Sequence, residues 1–321
     1  MWCRSQRVAR VSRVVTPTAT QAAVPSSCAR GQRSLLSSAF GGEGGGAEEK
    51  GHAALVRKEF AKQAQRNYDN QAASSDAMLS WISGHLAGDL QPSLRVLDVA
   101  AGTGRMSRLV APKVKEVIAV DLTEEMMAVG KEQAQTAGLN NIHWVVSKAQ
   151  QMPFMDNAFD VVVSRLAVHH WDEPQSIVSE MARVCKPGGK VVLIDIVTPE
   201  DLTDAQGDRL NHLERLRDPS HVCFWRLSEL FGFLKKARPA LSVLPLVDRR
   251  DNQVFLDQWL ELTNTPSASR KAITDALQAE LDGGGQQKDT NSLVTGFRPD
   301  RSADGSLHFV HSYVLLSAQK Q

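Results

Sequence analysis

The segment from Asp98 to Gly104 combines a carboxylate with two closely spaced glycines, a pattern that suits ligand binding. It reads DVAAGTG and follows the apolar run LRVL. Gly102 and Gly104 allow the backbone to turn tightly and to approach a ligand where a strand ends. Ala100 lies inside the same loop, and the Asp98 carboxylate is placed to bind an ammonium group directly or through water. A tight turn used only for packing would need the same glycines.

A second carboxylate, Asp121, ends the next apolar run, 17 residues after Gly104. A carboxylate at the end of a second strand can accept hydrogen bonds from both ribose hydroxyls of a nucleoside. This spacing suits a nicotinamide dinucleotide as well as S-adenosylmethionine. The dinucleotide fingerprint has a third glycine where Ser107 stands, so dinucleotide binding is disfavoured.

His169 and His170 are the candidate proton acceptors. They follow the fourth apolar run, FDVVVS, at the end where parallel sheets bind their ligands. Imidazole titrates near neutral pH, so either ring could take a proton from a substrate. Adjacent side chains point in different directions, and one ring buried with a structural hydrogen bond is the alternative. Arg165, just before them, could shape the cofactor or acceptor pocket.

The segments that carry these residues alternate between strand-like and helical patterns. Compact runs of Val, Ile and Leu predict strands at Leu94–Val99, at EVIAV ending on Asp121, at Ile142–Ser147, at Phe159–Ser164 and at Lys190–Asp195. Near-continuous apolar strands separated by helices indicate a parallel sheet buried on both faces. The sequence therefore predicts a doubly wound α/β fold.

Helices are predicted around and after these strands. The patterns cover residues 53–88, 104–112, a helix opening at Glu124, one that stops at the KPGG turn, and Leu210–Leu234. The C-terminal third then shows a possible strand at Leu241–Val247, helices around 253–281 and a last strand at Leu307–Leu316.

Several motifs in this order resemble those of class I S-adenosylmethionine-dependent methyltransferases. They read LDVAAGTG, VDLTEEMM, MPFMDNAFDVVVSR and RVCKPGGKVVLID. The resemblance is to the type 11 methyltransferases, and especially to the ubiquinone- and menaquinone-biosynthesis methylase group. The segments SRLAVHHW, NHLERLRDPSH and DGSLHFVHSYVLLSA are similar to those of small-molecule methyltransferases. Altogether the resemblance covers roughly residues 55–318.

The resemblance implies a Rossmann-like sheet of seven strands, mostly parallel, with an antiparallel last strand and helices on both faces. It also implies S-adenosyl-L-methionine as the cofactor. Gly102 and Gly104 would line its methionine portion, Asp121 would bind the ribose, and Leu122 and Met126 would flank the adenine.

The resemblance further implies that Ala149 and Gln150 present the adenine edge. An aspartate often precedes that alanine in the family, whereas this chain has Lys148, which cannot accept the adenine amino hydrogen bond. Tyr68 would be the aromatic residue of the family's first helix that lies over the cofactor. His221 falls where the family's substrate-covering segment should be, and Trp225 could line an apolar acceptor pocket, although core packing is the simpler interpretation.

Residues 1–47 are predicted to be a targeting segment and flexible linker, followed by a methyltransferase domain over residues 48–321. The first 42 residues contain no Asp or Glu but several arginines, with Ser and Ala between them. This composition is typical of a mitochondrial transit peptide, with a plastid peptide or an unaddressed tail as alternatives. Within the domain, helical segments around 200–236 and 251–282 are expected to cover the substrate.

Composition excludes some classes of partner. The net charge of +1 provides no basic face for nucleic acid, and no apolar run approaches the length of a bilayer span. The four cysteines form no CxxC or Cys/His cluster, so no metal site is predicted. The expected partner is a small-molecule methyl acceptor, with quinol-like and aromatic compounds as the candidates. The alternatives are a non-catalytic methyltransferase-like assembly protein and a nicotinamide-dependent oxidoreductase.

Overall fold

The chain folds around one mixed sheet with helices on both faces. The structure is a computed structural model that describes residues 51–64, 75–283 and 294–321. The strands of this described part are β1 Arg95–Val99, β2 Glu116–Asp121, β3 Ile142–Val146, β4 Phe159–Arg165, β5 Cys185–Val197, β6 Leu241–Phe255, β7 Asp300–Arg301 and β8 Leu307–Lys320.

Helices precede, separate and follow the strands. They are α1 His52–Ala64, α2 Ser75–Leu86, α3 Arg105–Val110, α4 Glu124–Thr136, α5 Pro174–Val184, α6 Asp204–Arg217, α7 Leu227–Lys236, α8 Leu256–Leu262 and α9 Ser267–Gly283. A short 3-10 turn, Val168–His170, follows β4.

The strand order is β3-β2-β1-β4-β5-β8-β6, with β7 paired to β8 at one end. Strands β1 to β5 are mutually parallel, whereas β8 runs antiparallel to both β5 and β6. The expected Rossmann-like sheet with an antiparallel last strand is confirmed. The two-residue β7 is an eighth strand beyond the seven that were predicted.

Alternating side chains of the central strands fill two apolar cores. On β1, Val96 faces one core, in which Ile82 of α2 and Met106 of α3 are buried. Leu97 faces the opposite core, together with Ile177 of α5. Burial of both faces explains why the strands are apolar at nearly every position.

The C-terminal third differs from its predicted boundaries. Strand β6 continues to Phe255 instead of ending near Val247, because its residues pair with β8 as far as the Phe255–His308 pair. Residues 253–255, which were expected to be helical, therefore belong to β6, and the helix begins at Leu256. The last strand likewise runs to Lys320.

The helix predicted across Leu210–Leu234 is two helices, α6 and α7, separated by residues 218–226. The break begins at Asp218-Pro219, where proline lacks a backbone N–H and disfavours a helical conformation in the residue before it. The 53–88 pattern also divides into α1 and α2, with residues 65–74 outside the described part. The KPGG segment lies within the first residues of β5.

Candidate active site

A cleft opens at the carboxyl ends of β1, β2 and β4, the edge at which parallel sheets place their ligands. Helix α1 forms one wall through His52, Ala53, Val56 and Phe60. The predicted residues that border the cleft are Asp98, Ala100, Gly102, Asp121, Leu122, Met126, Ala149, Gln150, Arg165 and His170. One concave site therefore collects residues from five separate segments of the chain.

The loop after β1 holds an unusual backbone conformation. Ala100, Gly102 and Gly104 have φ angles of 55°, 56° and 71°, in the left-handed region that glycine tolerates best. Gly104 does not itself border the cleft. A β-carbon at Gly104 would lie 2.3 Å from Trp144 Cη2, so the absence of a side chain lets the loop pack against β3. Gly104 therefore allows the loop to pack against β3, whereas Gly102 borders the cleft.

Asp121, at the end of β2, connects the loop after β1 with the start of α4 through hydrogen bonds. Its Oδ2 accepts a hydrogen bond from the Gly102 backbone N–H at 2.7 Å, and its Oδ1 accepts one from the Thr123 N–H at 2.8 Å. Burial raises the pKa of Asp121, although these backbone hydrogen bonds oppose the rise. Because a carboxylate has about four acceptor positions, Asp121 retains the capacity to bind ligand hydroxyls.

Asp98 is buried at the base of the cleft, where Ser107 supports it. The Ser107 Oγ–H donates to Asp98 Oδ2 at 2.6 Å. Burial raises the pKa of Asp98 to about 6, despite the lowering effect of Ser107 and of the Arg165 charge. In the sequence, Ser107 stands out only because it occupies the position of the third glycine of the dinucleotide fingerprint. Its burial and its hydrogen bond give it a supporting role that spacing did not reveal.

The residues expected around an adenine lie together at one end of the cleft. Leu122 and Met126 follow β2, and the segment from Ser147 to Gln150 follows β3. Lys148 borders the same end and is exposed to solvent. This arrangement puts apolar side chains and a backbone edge where a flat ring could be held between them.

The adjacent histidines have different surroundings. His169 Nδ1 lies 2.6 Å from Asp195 Oδ1 of β5, and Asp195 is itself buried. Burial opposes protonation of His169, but the charge of Asp195 and this hydrogen bond outweigh it, so the pKa of His169 is raised. His169 does not border the cleft. The sequence indicates only a strand position for Asp195, because its contact with His169 joins positions 26 residues apart.

His170 borders the cleft and packs edge-on against Phe60 of α1. Its Nδ1 lies 3.1 Å from both the carbonyl oxygen and the hydroxyl of Ser220. Burial and the nearby charge of His169 lower the pKa of His170 to about 4. His170 is therefore neutral at neutral pH, whereas its neighbour has the higher pKa.

Neither predicted substrate residue of the 218–226 segment borders the cleft. His221 is buried and its Nε2 bonds to Asn211 Oδ1 of α6 at 2.8 Å. Trp225 is buried and its indole N–H donates to the Val168 carbonyl at 3.3 Å. Both side chains turn inward because the loop packs behind the 3-10 turn. Tyr68 lies outside the described residues.

The described residues include neither a metal-binding cluster nor a helix able to span a membrane. No group of three or more His, Cys, Asp or Glu side chains in that part of the chain is arranged to hold a metal ion. Among the helices described, none combines the length and apolar character needed to cross a bilayer.

The fold and the cleft define a Rossmann-like nucleoside-binding protein, and comparison with known proteins narrows the class. A family model described as a methyltransferase domain matches residues 97–193. The uncharacterized methyltransferase YcgJ of Bacillus subtilis is 35% identical over 188 residues, which are 59% of this chain and 72% of YcgJ. The crystal structure of YcgJ superposes with a TM-score of 0.64 at 30% identity, covering 76% of this chain and 97% of YcgJ.

A more distant similarity is to the ubiquinone/menaquinone biosynthesis C-methyltransferase UbiE of Legionella pneumophila. It is 35% identical over 114 residues, covering 34% of this chain and only 46% of UbiE. The chain belongs to the class I S-adenosylmethionine-dependent methyltransferases. It is an enzyme of that class, and S-adenosylmethionine is its methyl donor.

Proposed function

We propose that this methyltransferase acts on a small organic acceptor with an aromatic or quinol-like ring, bound in the cleft beside His170. The observation that carries the proposal is the aromatic and apolar part of the cleft lining near His170. Phe60 and Val56 of α1, Trp171, and Ile177 of α5 present aromatic and apolar surface there, with His170 among them. Such a wall suits a flat apolar ring that carries one polar group.

The cofactor is proposed to lie along the opposite side of the cleft. Asp121 would accept the ribose hydroxyls, and Leu122 and Met126 would enclose the adenine. Ala149 and Gln150 would offer the adenine edge its hydrogen bonds. The loop at Ala100 and Gly102, supported by Gly104, would pass close to the methionine portion, near Asp98.

Asp98 suits the methionine end because of its charge. A buried carboxylate is unfavourable on its own and becomes favourable when a cation is bound beside it. The ammonium group of the methionine portion provides that cation. Arg165 also borders the cleft and lowers the pKa of Asp98, so it helps keep this carboxylate ionised.

When bound, the cofactor supplies an electrophilic methyl group on a sulfonium centre. The protein's task is to hold the acceptor in line with that methyl group and to keep water out. Positioning of this kind contributes on the order of 7–11 kcal/mol to lowering a barrier. Acceptors that begin protonated also need a base, and the candidates are His169 and His170. His170 is favoured because it borders the cleft and His169 does not.

The similarity to UbiE-type enzymes supports a quinol-like acceptor. It spans less than half of those enzymes, so the chemistry of the cleft wall is the stronger argument. The test is isothermal titration of the full chain with S-adenosylmethionine, S-adenosylhomocysteine and NADH, followed by an acceptor screen by mass spectrometry. The screen compares hydroquinones and phenols with aliphatic amines of similar size.

We expect saturable binding of both adenosyl ligands, none of NADH, and methylation of the aromatic acceptors. Loss of adenosyl binding in Asp121→Ala, with Asp275→Ala unaffected, would place the cofactor as proposed. Methylation of the amines alone would reject the acceptor class. No adenosyl binding by folded protein would favour the alternative of a non-catalytic assembly protein.

We also propose that residues 1–47 direct the protein to mitochondria. The support is compositional: the segment has arginines at positions 4, 7, 10 and 13, and its first acidic residue is Glu43. Fusion of residues 1–47 to a fluorescent protein should give mitochondrial signal. Replacement of those four arginines by glutamine should abolish it. Plastid or diffuse signal from the unaltered fusion would contradict the proposal.

A further inference from the structure

A chain of hydrogen bonds leads from the cleft into the protein behind His170. The Ser220 Oγ–H donates to Asp218 Oδ1 at 2.5 Å, and the Ser220 backbone N–H donates to the same oxygen at 3.0 Å. The other carboxylate oxygen accepts from Gln63 of α1 at 3.3 Å. Because the Ser220 hydroxyl gives its hydrogen to Asp218, its lone pairs are available to accept the hydrogen on His170 Nδ1.

These contacts select one tautomer of His170. The Ser220 carbonyl can only accept, and it lies 3.1 Å from His170 Nδ1. Nδ1 must therefore carry the hydrogen, and Nε2 is left with the lone pair. All three members of the chain are buried, so water competes little for these bonds. The arrangement of a carboxylate, a hydroxyl and an imidazole orients a base in one direction.

We propose that His170 Nε2 removes the proton of the acceptor during methyl transfer and that Ser220 and Asp218 are the positioning residues behind it. This inference rests on the proposed function. It deepens the acceptor assignment, because such a site suits acceptors that must lose a proton, namely phenols and hydroquinones methylated on oxygen.

A lone pair of the acceptor oxygen forms the new oxygen–carbon bond, and the sulfur–carbon bond breaks with its electron pair returning to sulfur. The hydrogen on the acceptor oxygen moves to His170 Nε2, which later releases it to water. A hydroxyl becomes strongly acidic as it gains the methyl group, so a weakly basic imidazole is sufficient late in the step. Asp218 then stabilises the imidazolium without taking its proton.

The groups that face His170 set its protonation. They are His52 from α1, His169 beside it, Asp195 from β5, and Asp218 and His221 from the loop after α6. The rings of His169 and His170 have centroids only 4.2 Å apart. The positive charge of His169, which is paired with Asp195, lowers the pKa of His170 and keeps it in its neutral, proton-accepting form. The negative charge of Asp218 has the opposite effect and raises the pKa of His170.

The first test needs no acceptor. Nitrogen-15 NMR of the full chain with labelled histidine reports the tautomer and the pKa of His170, assigned by difference with His170→Gln. We expect a hydrogen on Nδ1 and none on Nε2 at neutral pH. Asp218→Asn should lower the pKa of His170, and His169→Asn should raise it. A hydrogen on Nε2, or shifts in the opposite directions, would overturn the proposal.

The second test separates a base from a structural histidine. Methylation of hydroquinone, which is protonated at pH 8, is compared with that of 4-nitrophenol, which is largely ionised. His170→Gln should lower kcat for hydroquinone about 100-fold or more, in the range typical of lost acid–base catalysis. For the ionised phenol the loss should stay below about tenfold, because no proton remains to be removed. The KM values should change little.

Ser220→Ala should reproduce this pattern more weakly, with a loss of about tenfold for hydroquinone only. His143→Gln, an exposed histidine on β3 away from the cleft, is the matched control and should leave both rates unchanged. Equal losses for the two acceptors in His170→Gln would assign that residue to structure alone. If S-adenosylhomocysteine still binds in that case, the cofactor site of the proposed function stands and only this inference fails.

Discussion

The carboxylate of Asp121 at the end of β2 accepts a hydrogen bond from the backbone N–H of Gly102 in the loop after β1, with Oδ2 and N 2.7 Å apart. Its other oxygen accepts the N–H of Thr123 at the start of α4. One side chain therefore fixes both segments that border the proposed ribose position.

Asp121→Asn should weaken the binding of S-adenosylhomocysteine by about 10- to 100-fold, the value of one lost hydrogen bond to a charged group. The amide must turn its NH₂ toward one of the two backbone donors, so one contact becomes repulsive. Isothermal titration measures the effect, and Asp275→Asn on the exposed face of α9 is the control. Unchanged affinity would remove Asp121 from the site.

Gly104→Ala should lower the free energy of unfolding by about 1–3 kcal/mol, as overpacking does in other proteins. The new β-carbon would lie 2.3 Å from Trp144 Cη2, and the residue has a φ of 71°. Gly138→Ala separates the two causes, because Gly138 has a φ of 69° with no atom near its β-carbon position. Urea unfolding should show a clearly larger loss for Gly104→Ala. Equal losses would mean that backbone conformation alone matters.

Asp98 should make folding less favourable as the pH rises. Burial raises its folded-state pKa from 3.8 to about 6, so the native state holds a proton that the unfolded state has lost. The destabilisation is absent below pH 3.8, grows up to about pH 6 and is constant above it. The difference between the two pKa values of Asp98 corresponds to a loss of about 3 kcal/mol in the free energy of unfolding.

Asp98→Asn should remove that pH dependence. We expect the variant to gain stability relative to the parent protein between pH 4 and pH 7, by up to about 3 kcal/mol, as measured by urea unfolding at both pH values. Its affinity for S-adenosylmethionine should fall, because the cation loses its carboxylate. The same stability difference at both pH values would show that Asp98 is not the titrating group.

Lys148→Asp should strengthen the binding of S-adenosylhomocysteine by about three- to tenfold, in keeping with one partly exposed hydrogen bond. An aspartate at this edge of the cleft can accept the adenine amino hydrogen, which the lysine cannot. Lys131→Asp on the exposed side of α4 makes the same change in net charge and should have no effect. Weaker binding in Lys148→Asp would show that the lysine contributes to the site.

Local sequence patterns were sufficient to predict the five parallel strands, the glycine loop and the placement of Asp98 and Asp121 at one edge of the sheet. These features follow from local patterns, because consecutive apolar residues form strands and the carboxyl ends of parallel strands meet. The motif resemblance added the antiparallel direction of the last strand. Residues 122, 126, 149 and 150 border the cleft, and their contact with adenine stays a prediction.

The partners of the two adjacent histidines became visible only in the folded chain. His169 meets Asp195 from β5, whereas His170 meets Ser220 from a loop 50 residues further along the chain. The same folding turned His221 and Trp225 into the interior, and pairing with β8 extended β6 beyond its predicted end. Contacts between distant segments depend on how the elements pack against one another. No local period or spacing records them, so they arise only when the whole chain has folded.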